Sequence, residues 1–89
     1  MKFISQTVTT GGQITTSTLR AQSIEFHARS DNEESVVVGE SDVSAINGRE
    51  LPPGESASYN FDEGSEPLTT FYCHIEGNDM LDWTAIIRG

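Results

Sequence analysis

Two stretches of the chain alternate between apolar and polar residues. In residues 22–29 and 81–88 nearly every second position is apolar, with polar residues between them. The apolar members are Ile24, Phe26 and Ala28 in the first stretch, and Leu81, Trp83, Ala85 and Ile87 in the second. A period of two is that of a β-strand with one buried and one solvated face. The pattern therefore predicts two strands, with Trp83 in the core and Ile86 as an apolar exception on an outer face.

Shorter runs predict further strands. Residues 36–38 are three valines, residues 56–61 place Ala57, Tyr59 and Phe61 on one face, and residues 69–76 alternate around Cys73. In that last run Phe71, Cys73 and Ile75 are predicted inward, and Tyr72, His74 and Glu76 outward. No window repeats apolar residues at helical spacing. Short strands every ~8–12 residues predict an all-β fold, a small antiparallel β-sandwich or barrel.

The N-terminal stretch is rich in threonine and poor in large apolar residues. Residues 2–10 and 13–18 both read as strands, and Gly11-Gly12 between them is a turn signal because glycine accepts positive φ. We therefore expect residues 1–20 to form a β hairpin arm that is weakly anchored. Residues 21–89 would be the β-sandwich itself, in a chain that is a single domain overall.

Residues 39–55 are predicted to be an excursion built on turns. Gly39 ends the valine strand, Asn47-Gly48 is a turn dipeptide, and Pro53-Gly54 suits a type II turn. Three apolar residues, Val43, Ile46 and Leu51, are expected to point back to the core and fix the excursion.

Composition narrows the function. The 89 residues carry a net charge of −9, which argues against nucleic acid and against an anionic membrane surface as partners. A single cysteine, Cys73, excludes an internal disulfide. No apolar run is long enough to span a bilayer, and the start lacks the apolar core of a signal peptide. These features predict a soluble domain made in a reducing cytoplasm.

Few residues are candidates for catalysis or metal binding. His27 and His74 would form a zinc site, with Glu25 or Glu76, only if their strands paired in register, and the simpler interpretation is two solvated histidines. Cys73 alternates with apolar residues and reads as a small core residue. The carboxylate clusters lack the spacing of a calcium loop and read as solvated turns. We therefore expect no catalytic residue, no metal and no cofactor.

The middle of the chain resembles a family of small virion proteins from tailed bacteriophages. The resemblance rests on Val37-Val38-Gly39-Glu40-Ser41-Asp42-Val43-Ser44 and on Asn47-Gly48-Arg49-Glu50-Leu51-Pro52-Pro53-Gly54-Glu55-Ser56. It is specific over residues 37–56, and its layout extends over residues 22–88. Members of this family are β-sandwiches, often jelly-roll-like, and some are capsid decoration (cement) proteins. The resemblance implies structural turns at Gly39, Asn47, Gly48, Pro53 and Gly54, and no catalytic residue.

This resemblance implies a non-enzymatic protein that binds the outer surface of a phage capsid and cements the shell. Its partner would be the major capsid protein, and it would be located in the virion. We expect it to assemble as a homo-oligomer, with a trimer as the expected state. The residues predicted to contact partners are Phe3, Ile4, Val8, Thr9, Tyr72 and Ile86. The alternative is a receptor- or glycan-binding β-sandwich module of a tail or fibre, and a small metal-dependent hydrolase using His27 and His74 is the remaining rival.

Overall fold

The computed structural model describes residues 2–61 and 66–87, and within these ranges every regular element except one short 3-10 turn is a β-strand. This confirms the prediction of an all-β chain. The 3-10 turn, Leu68–Thr70, occupies the start of the strand predicted for residues 69–76. The strands are β1 (Lys2–Val8), β2 (Gly12–Gln13), β3 (Arg20–Ala28), β4 (Val36–Gly39), β5 (Arg49–Leu51), β6 (Ser56–Asn60), β7 (Glu66–Pro67), β8 (Tyr72–His74) and β9 (Leu81–Ile87).

The strands form two antiparallel sheets. The first sheet has the order β1-β9-β3-β6, with β7 also paired to β3, and the second has the order β2-β8-β4-β5. One cluster of buried side chains contains residues from both sheets, so the sheets enclose a common core. The predicted β-sandwich is confirmed, and its likeness to a jelly roll stays a prediction.

The core is centred on two aromatic side chains of the first sheet. Trp83 of β9 and Phe26 of β3 are register partners, and each is 1% exposed. The second sheet contributes Val36, Leu51 and Cys73, all at most 2% exposed. Burying each large apolar side chain stabilises the fold by roughly 1.5–3 kcal/mol. The predicted placement of Trp83 and Cys73 in the core is therefore confirmed.

The predicted N-terminal hairpin is wrong. β1 pairs with β9 along seven residues, from Lys2 opposite Ile87 to Val8 opposite Leu81, whereas β2 pairs with β8 in the other sheet. The chain crosses between the sheets after Val8, and this crossing buries Val8 and Ile14 in the common core. The segment predicted as an arm thus supplies one strand to each sheet.

The excursion after β4 folds differently from the prediction at its tip. Ser44 and Asn47 bridge each other through two backbone hydrogen bonds, so the turn lies at Ala45-Ile46 rather than at Asn47-Gly48. Ile46 at this tip is 97% exposed, so its predicted contact with the core is wrong. Leu51 is fully buried as expected.

Gly48 lets the excursion close over the second sheet. Its φ is +137°, and a Cβ at this position would lie 2.7 Å from both Val37 Cγ1 and the Val38 carbonyl oxygen. Val37 lies on the side of β4 away from the core because its neighbours on the strand face inward, yet it is only 3% exposed. The glycine therefore allows the backbone to cover Val37. This supports a structural role for the motif that contains it.

The predicted Pro53-Gly54 turn is confirmed. The Glu55 backbone N–H donates to the Pro52 carbonyl oxygen at 3.0 Å, and Gly54 has a φ of +86°. Proline then glycine at the two central positions suits a type II turn. The Gly54 N–H also donates to the Ala28 carbonyl oxygen, which ties the turn to the end of β3.

Asp79 fastens two loops at one end of the sandwich. It is 5% exposed, and its carboxylate accepts hydrogen bonds from the backbone N–H groups of Glu33 and Glu34 at 2.8 and 2.9 Å. Asn32 and Met80 exchange two further bonds at 2.9 Å beside it. The sequence indicated only solvated turns here, because a carboxylate that caps distant N–H groups has no local signature.

Gly48 and Gly12 provide a matched test of the close approach to Val37. Both have strongly positive φ, but an added Cβ at Gly12 meets nothing within 4 Å. We expect Gly12→Ala to cost about 1–3 kcal/mol from backbone strain alone. Gly48→Ala should cost about 1–3 kcal/mol more, because the methyl group overlaps packed atoms. Urea unfolding of both variants measures the difference, and equal losses would show that Val37 is not closely covered.

Candidate functional site

The first sheet presents an outer face of twelve side chains arranged in three rows across its strands. The register of the strands and the alternation of side chains along them define the rows. They are Phe3, Ile86, Ser23 and Asn60, then Ser5, Thr84, Glu25 and Ser58, then Thr7, Asp82, His27 and Ser56. Two rows are polar, and the remaining row is apolar at its β1 end.

The polar rows are linked by hydrogen bonds between neighbouring strands. Thr7 Oγ1 donates to Asp82 at 2.6 Å, and the Ser5 and Thr84 hydroxyl oxygens lie 2.9 Å apart. Arg29, just after β3, donates to both oxygens of Asp82 at 3.0 and 3.2 Å. The hydrogen bond from Arg29 lowers the pKa of Asp82, and the same bond raises the pKa of the guanidinium. These contacts link side chains of β1 and β9, and Arg29 after β3, across a solvent-facing surface.

Ser56, His27 and Asp82 share a row, but they do not form the geometry of a nucleophilic triad. His27 Nδ1 lies 2.7 Å from Ser56 Oγ, while the Asp82 carboxylate is bonded to Thr7 and Arg29. In a triad the acid bonds the imidazole and orients it as a base. The row is therefore a hydrogen-bonded surface in which the Asp82 carboxylate already accepts hydrogen bonds from Thr7 and Arg29.

The apolar end of the outer face lies at β1, which is the end of the strand order that the described residues form. Phe3 is 61% exposed and stands opposite Ile86, which is half-buried between Phe3 and Ser23. β1 has β9 as its neighbour on one side and ends the strand order on the other. We call β1 with Phe3 and Ile86 the β1 edge. It combines backbone groups available for pairing with an aromatic side chain in solvent.

The structure separates the predicted contact residues into three places. Phe3 and Ile86 are together at the β1 edge, and Thr9 is exposed just beyond it. Val8 is 9% exposed within the core, so its side chain is not available to a partner, contrary to the prediction, whereas Ile4 is half-buried and packs against that core. Tyr72 is half-buried on the second sheet, between Gln13 and Gly39, and does not belong to the same surface.

The two histidines are on different sheets. His27 belongs to β3 and His74 to β8, so the in-register pairing that a shared zinc site required does not occur. In residues 2–61 and 66–87 there is no group of three or more His, Cys, Asp or Glu that could hold a metal ion. His74 Nε2 lies 3.4 Å from Glu76 Oε1, beside a cavity of about 480 Å³ bordered by Glu34 and Glu50.

Cys73 is held inside the sandwich. Its side chain is 2% exposed, and burial raises the pKa of the thiol to about 11, although a hydrogen bond from the Gly12 backbone acts in the opposite direction. Because the thiolate is the nucleophilic form, this environment suppresses reactivity.

A cleft opens between the two sheets beside β6. Its volume is about 610 Å³, and four aromatic rings contribute to its lining. Phe26 is the buried ring at its base, with ring centroids 6.2 Å from Tyr59 and 5.8 Å from Phe71, and Phe61 lies 5.9 Å from Phe71. Charged side chains join the lining: Glu40, Asp42, Glu66 and Arg49. We call this site the aromatic cleft.

Sequence reasoning missed the aromatic cleft although it placed its aromatic residues correctly. Tyr59, Phe61 and Phe71 were predicted to face inward, and all three are half-buried. What the pattern could not show is that the core leaves these rings partly uncovered at one side of the sandwich. The sequence feature that came closest to indicating the cleft was the pair of acidic residues, Glu40 and Asp42, directly after a buried strand. Phe61 and Glu66 belong to the lining of the cleft, and residues 62–65 between them, part of the loop predicted at residues 62–67, lie outside the described residues.

Comparison with known proteins gave no match: no family model, no curated protein and no solved structure is similar to this chain. The resemblance of residues 37–56 to phage virion proteins therefore stays a prediction. Among the described residues, none of the helical structure has the length and apolarity needed to cross a bilayer.

The burial of Cys73 predicts an unreactive thiol. In native protein at pH 8 we expect Ellman's reagent to react far more slowly than in urea-unfolded protein, because the thiolate is disfavoured and inaccessible. Stability should also fall as pH rises from about 9 to about 11. In that range the unfolded thiol loses its proton while the folded one keeps it. Urea unfolding at several pH values across this range tests the loss of stability, and Cys73→Ala is the control that should lack it. Rapid labelling of the native protein by Ellman's reagent would contradict the prediction of an unreactive thiol.

Proposed function

We propose that this chain is a non-enzymatic virion protein that binds the outer surface of a phage capsid and stabilises the shell. The resemblance over residues 37–56 supports the class of protein, and the structural role of Gly48 and Gly54 in that segment is consistent with it. The β1 edge is the observation that carries the proposal, because it is a surface suited to protein partners.

The β1 edge has few of the features that protect an edge strand from pairing. Over its seven residues β1 has no proline, and its one charged residue is Lys2 at the end. Natural proteins commonly protect such edges with charges, prolines or bulges. An edge left open adds a strand from a partner through backbone hydrogen bonds, while a neighbouring side chain provides specificity. Phe3, beside Ile86, is placed to be that side chain.

Charge supports a protein lattice as the partner. A net charge of −9 favours encounter with basic patches of major capsid protein and gives an association that weakens with salt. A small core gains stability when a partner binds the folded state. Assembly as a symmetric homo-oligomer, with a trimer as the specific proposal, would repeat the β1 edge around the symmetry axis of the shell.

A receptor- or glycan-binding module of a tail or fibre is the second candidate. The aromatic cleft favours it, since concave sites with aromatic walls and a few polar groups are typical of small-ligand binding. Under this proposal free sugars, rather than assembled shells, are the ligands. A glycan array probed with purified protein tests it, and the absence of any bound sugar would remove it.

Replacing Phe3 tests the β1 edge without disturbing the core. Deleting residues 2–10 would remove β1 and Val8, so we choose Phe3→Ser, with Ile46→Ser as a control at another strongly exposed apolar site. An aromatic anchor at an interface contributes about 2 kcal/mol or more, so Phe3→Ser should weaken shell binding by roughly 30-fold. Ile46→Ser should bind as the unchanged protein does.

Binding is measured by cosedimentation with assembled shells stripped of this chain, at low and at high salt. Circular dichroism and urea unfolding confirm that both variants fold. Unchanged binding by Phe3→Ser would overturn the role of the β1 edge. Failure of the unaltered protein to bind shells at low ionic strength would overturn the capsid proposal itself.

A further inference from the structure

The lining of the aromatic cleft carries an excess of negative charge. Glu40 and Asp42 follow β4, Glu66 lies in β7, and Arg49 in β5 is the cation among the lining residues. Within residues 2–61 and 66–87, none of the three carboxylates has an ion pair, and Arg49 has none with them. Acidic side chains thus gather around a concave surface with aromatic walls, and among the described residues they form no ion pair there.

This placement sets three like charges around one opening of the free protein. Like charges around one opening repel one another, and a net charge of −9 reinforces that repulsion. Glu40 and Asp42 contribute only their backbone carbonyl groups to the excursion: the Val43 N–H donates to the Glu40 oxygen, and the Asn47 side chain donates to the Asp42 oxygen. Their carboxylates are therefore not needed to shape the loop.

The rings and the carboxylates together suit an organic cation. The face of an aromatic ring attracts a guanidinium or ammonium group within about 6 Å, and Tyr59, Phe61 and Phe71 are all half-buried in the cleft wall. Long basic side chains also lay their methylene stems on apolar surface while the charged end reaches polar groups. A cleft with low-dielectric walls and one dominant sign of charge concentrates the field on such a ligand.

We propose that the aromatic cleft receives an arginine or lysine side chain from a protein partner. The inference rests on the capsid proposal, which it deepens by naming the chemistry of the partner at a second contact, separate from the β1 edge. Of the two side chains, arginine should bind more tightly, because its planar guanidinium stacks on rings and forms paired hydrogen bonds with a carboxylate. Glu40 and Asp42 would accept those bonds, with Tyr59 and Phe71 beneath the stem.

Charge decides between a basic side chain and a neutral sugar. Sugar hydroxyls both donate and accept hydrogen bonds, and the lining offers donors in Arg49, Tyr59 and Thr70 beside its three carboxylates, so hydrogen bonding alone does not separate the two ligands. A basic side chain satisfies the carboxylates and relieves their mutual repulsion. A neutral sugar leaves that repulsion in place.

The test uses two short peptides that differ in charge but not in shape. Acetyl-Gly-Arg-Gly-amide and the same peptide with citrulline in place of arginine are titrated into the 15N-labelled protein at low salt. We expect the arginine peptide to shift the amide resonances of Tyr59 and Phe71, and the citrulline peptide to leave them unchanged. A mixture of neutral oligosaccharides is titrated in parallel.

Paired variants separate the cleft from the overall charge of the protein. Glu40→Gln with Asp42→Asn removes two carboxylates of the cleft, while Glu33→Gln with Glu55→Gln removes two exposed carboxylates elsewhere. Two exposed charge contacts contribute about 1 kcal/mol together, so the cleft variant should bind the arginine peptide about fivefold more weakly. The control variant should change by less than about twofold. Binding of both variants to stripped shells is measured alongside.

The outcomes distinguish this inference from the capsid proposal. Weaker binding of both peptide and shells by the cleft variant alone supports both. Normal shell binding by the cleft variant, together with no response to the arginine peptide, overturns the cleft and leaves the capsid proposal standing. Equal binding of the citrulline peptide, or shifts caused only by sugars, also overturns it. An arginine-specific response without any shell binding upholds the cleft and overturns the capsid proposal.

Discussion

The pairing of β9 on both of its sides is the interaction on which the structure depends. Residues 81–87 lie between β1 and β3, and their alternation places one set of side chains in the core and the other on the outer face. Trp83 packs beside Phe26 because this register holds, and Ile86 stands next to Phe3 for the same reason. A slip of one residue would exchange the two faces, which would expose the tryptophan and bury Asp82.

The sequence predicts the faces of the strands better than it predicts their partners. Alternation is local, so β3 and β9 and their buried residues follow from it directly. Pairing is not local: β1 and β9 stand at opposite ends of the chain, and two threonine-rich stretches separated by Gly11-Gly12 read as a hairpin when only neighbours are considered. Val8 and Ile14 resolve the choice, since crossing between sheets buries both of them.

The same reasoning explains which site residues could be predicted. Phe3 and Ile86 stood out as apolar groups without an evident cover, and their meeting on one face required the β1–β9 register. Val8 was misplaced, and the packing of Ile4 against the core was not predicted, because a strand treated as a free arm has no inner face. Ile46 was misplaced because apolarity alone predicts burial, whereas the bridge between Ser44 and Asn47 places it at a turn.

The exposed groups that we assign to partner binding are not required by the fold, although the strand and the rings beside them are. The core is complete without Phe3, which is 61% exposed, and the excursion is shaped by Gly48 and by backbone groups rather than by the carboxylates of Glu40 and Asp42. An isolated domain would be more soluble with a charge at the β1 edge, and more stable with a balanced cleft. Under the two proposals, a bound partner would cover both places. A protein surface with an open strand and a basic side chain would cover them together.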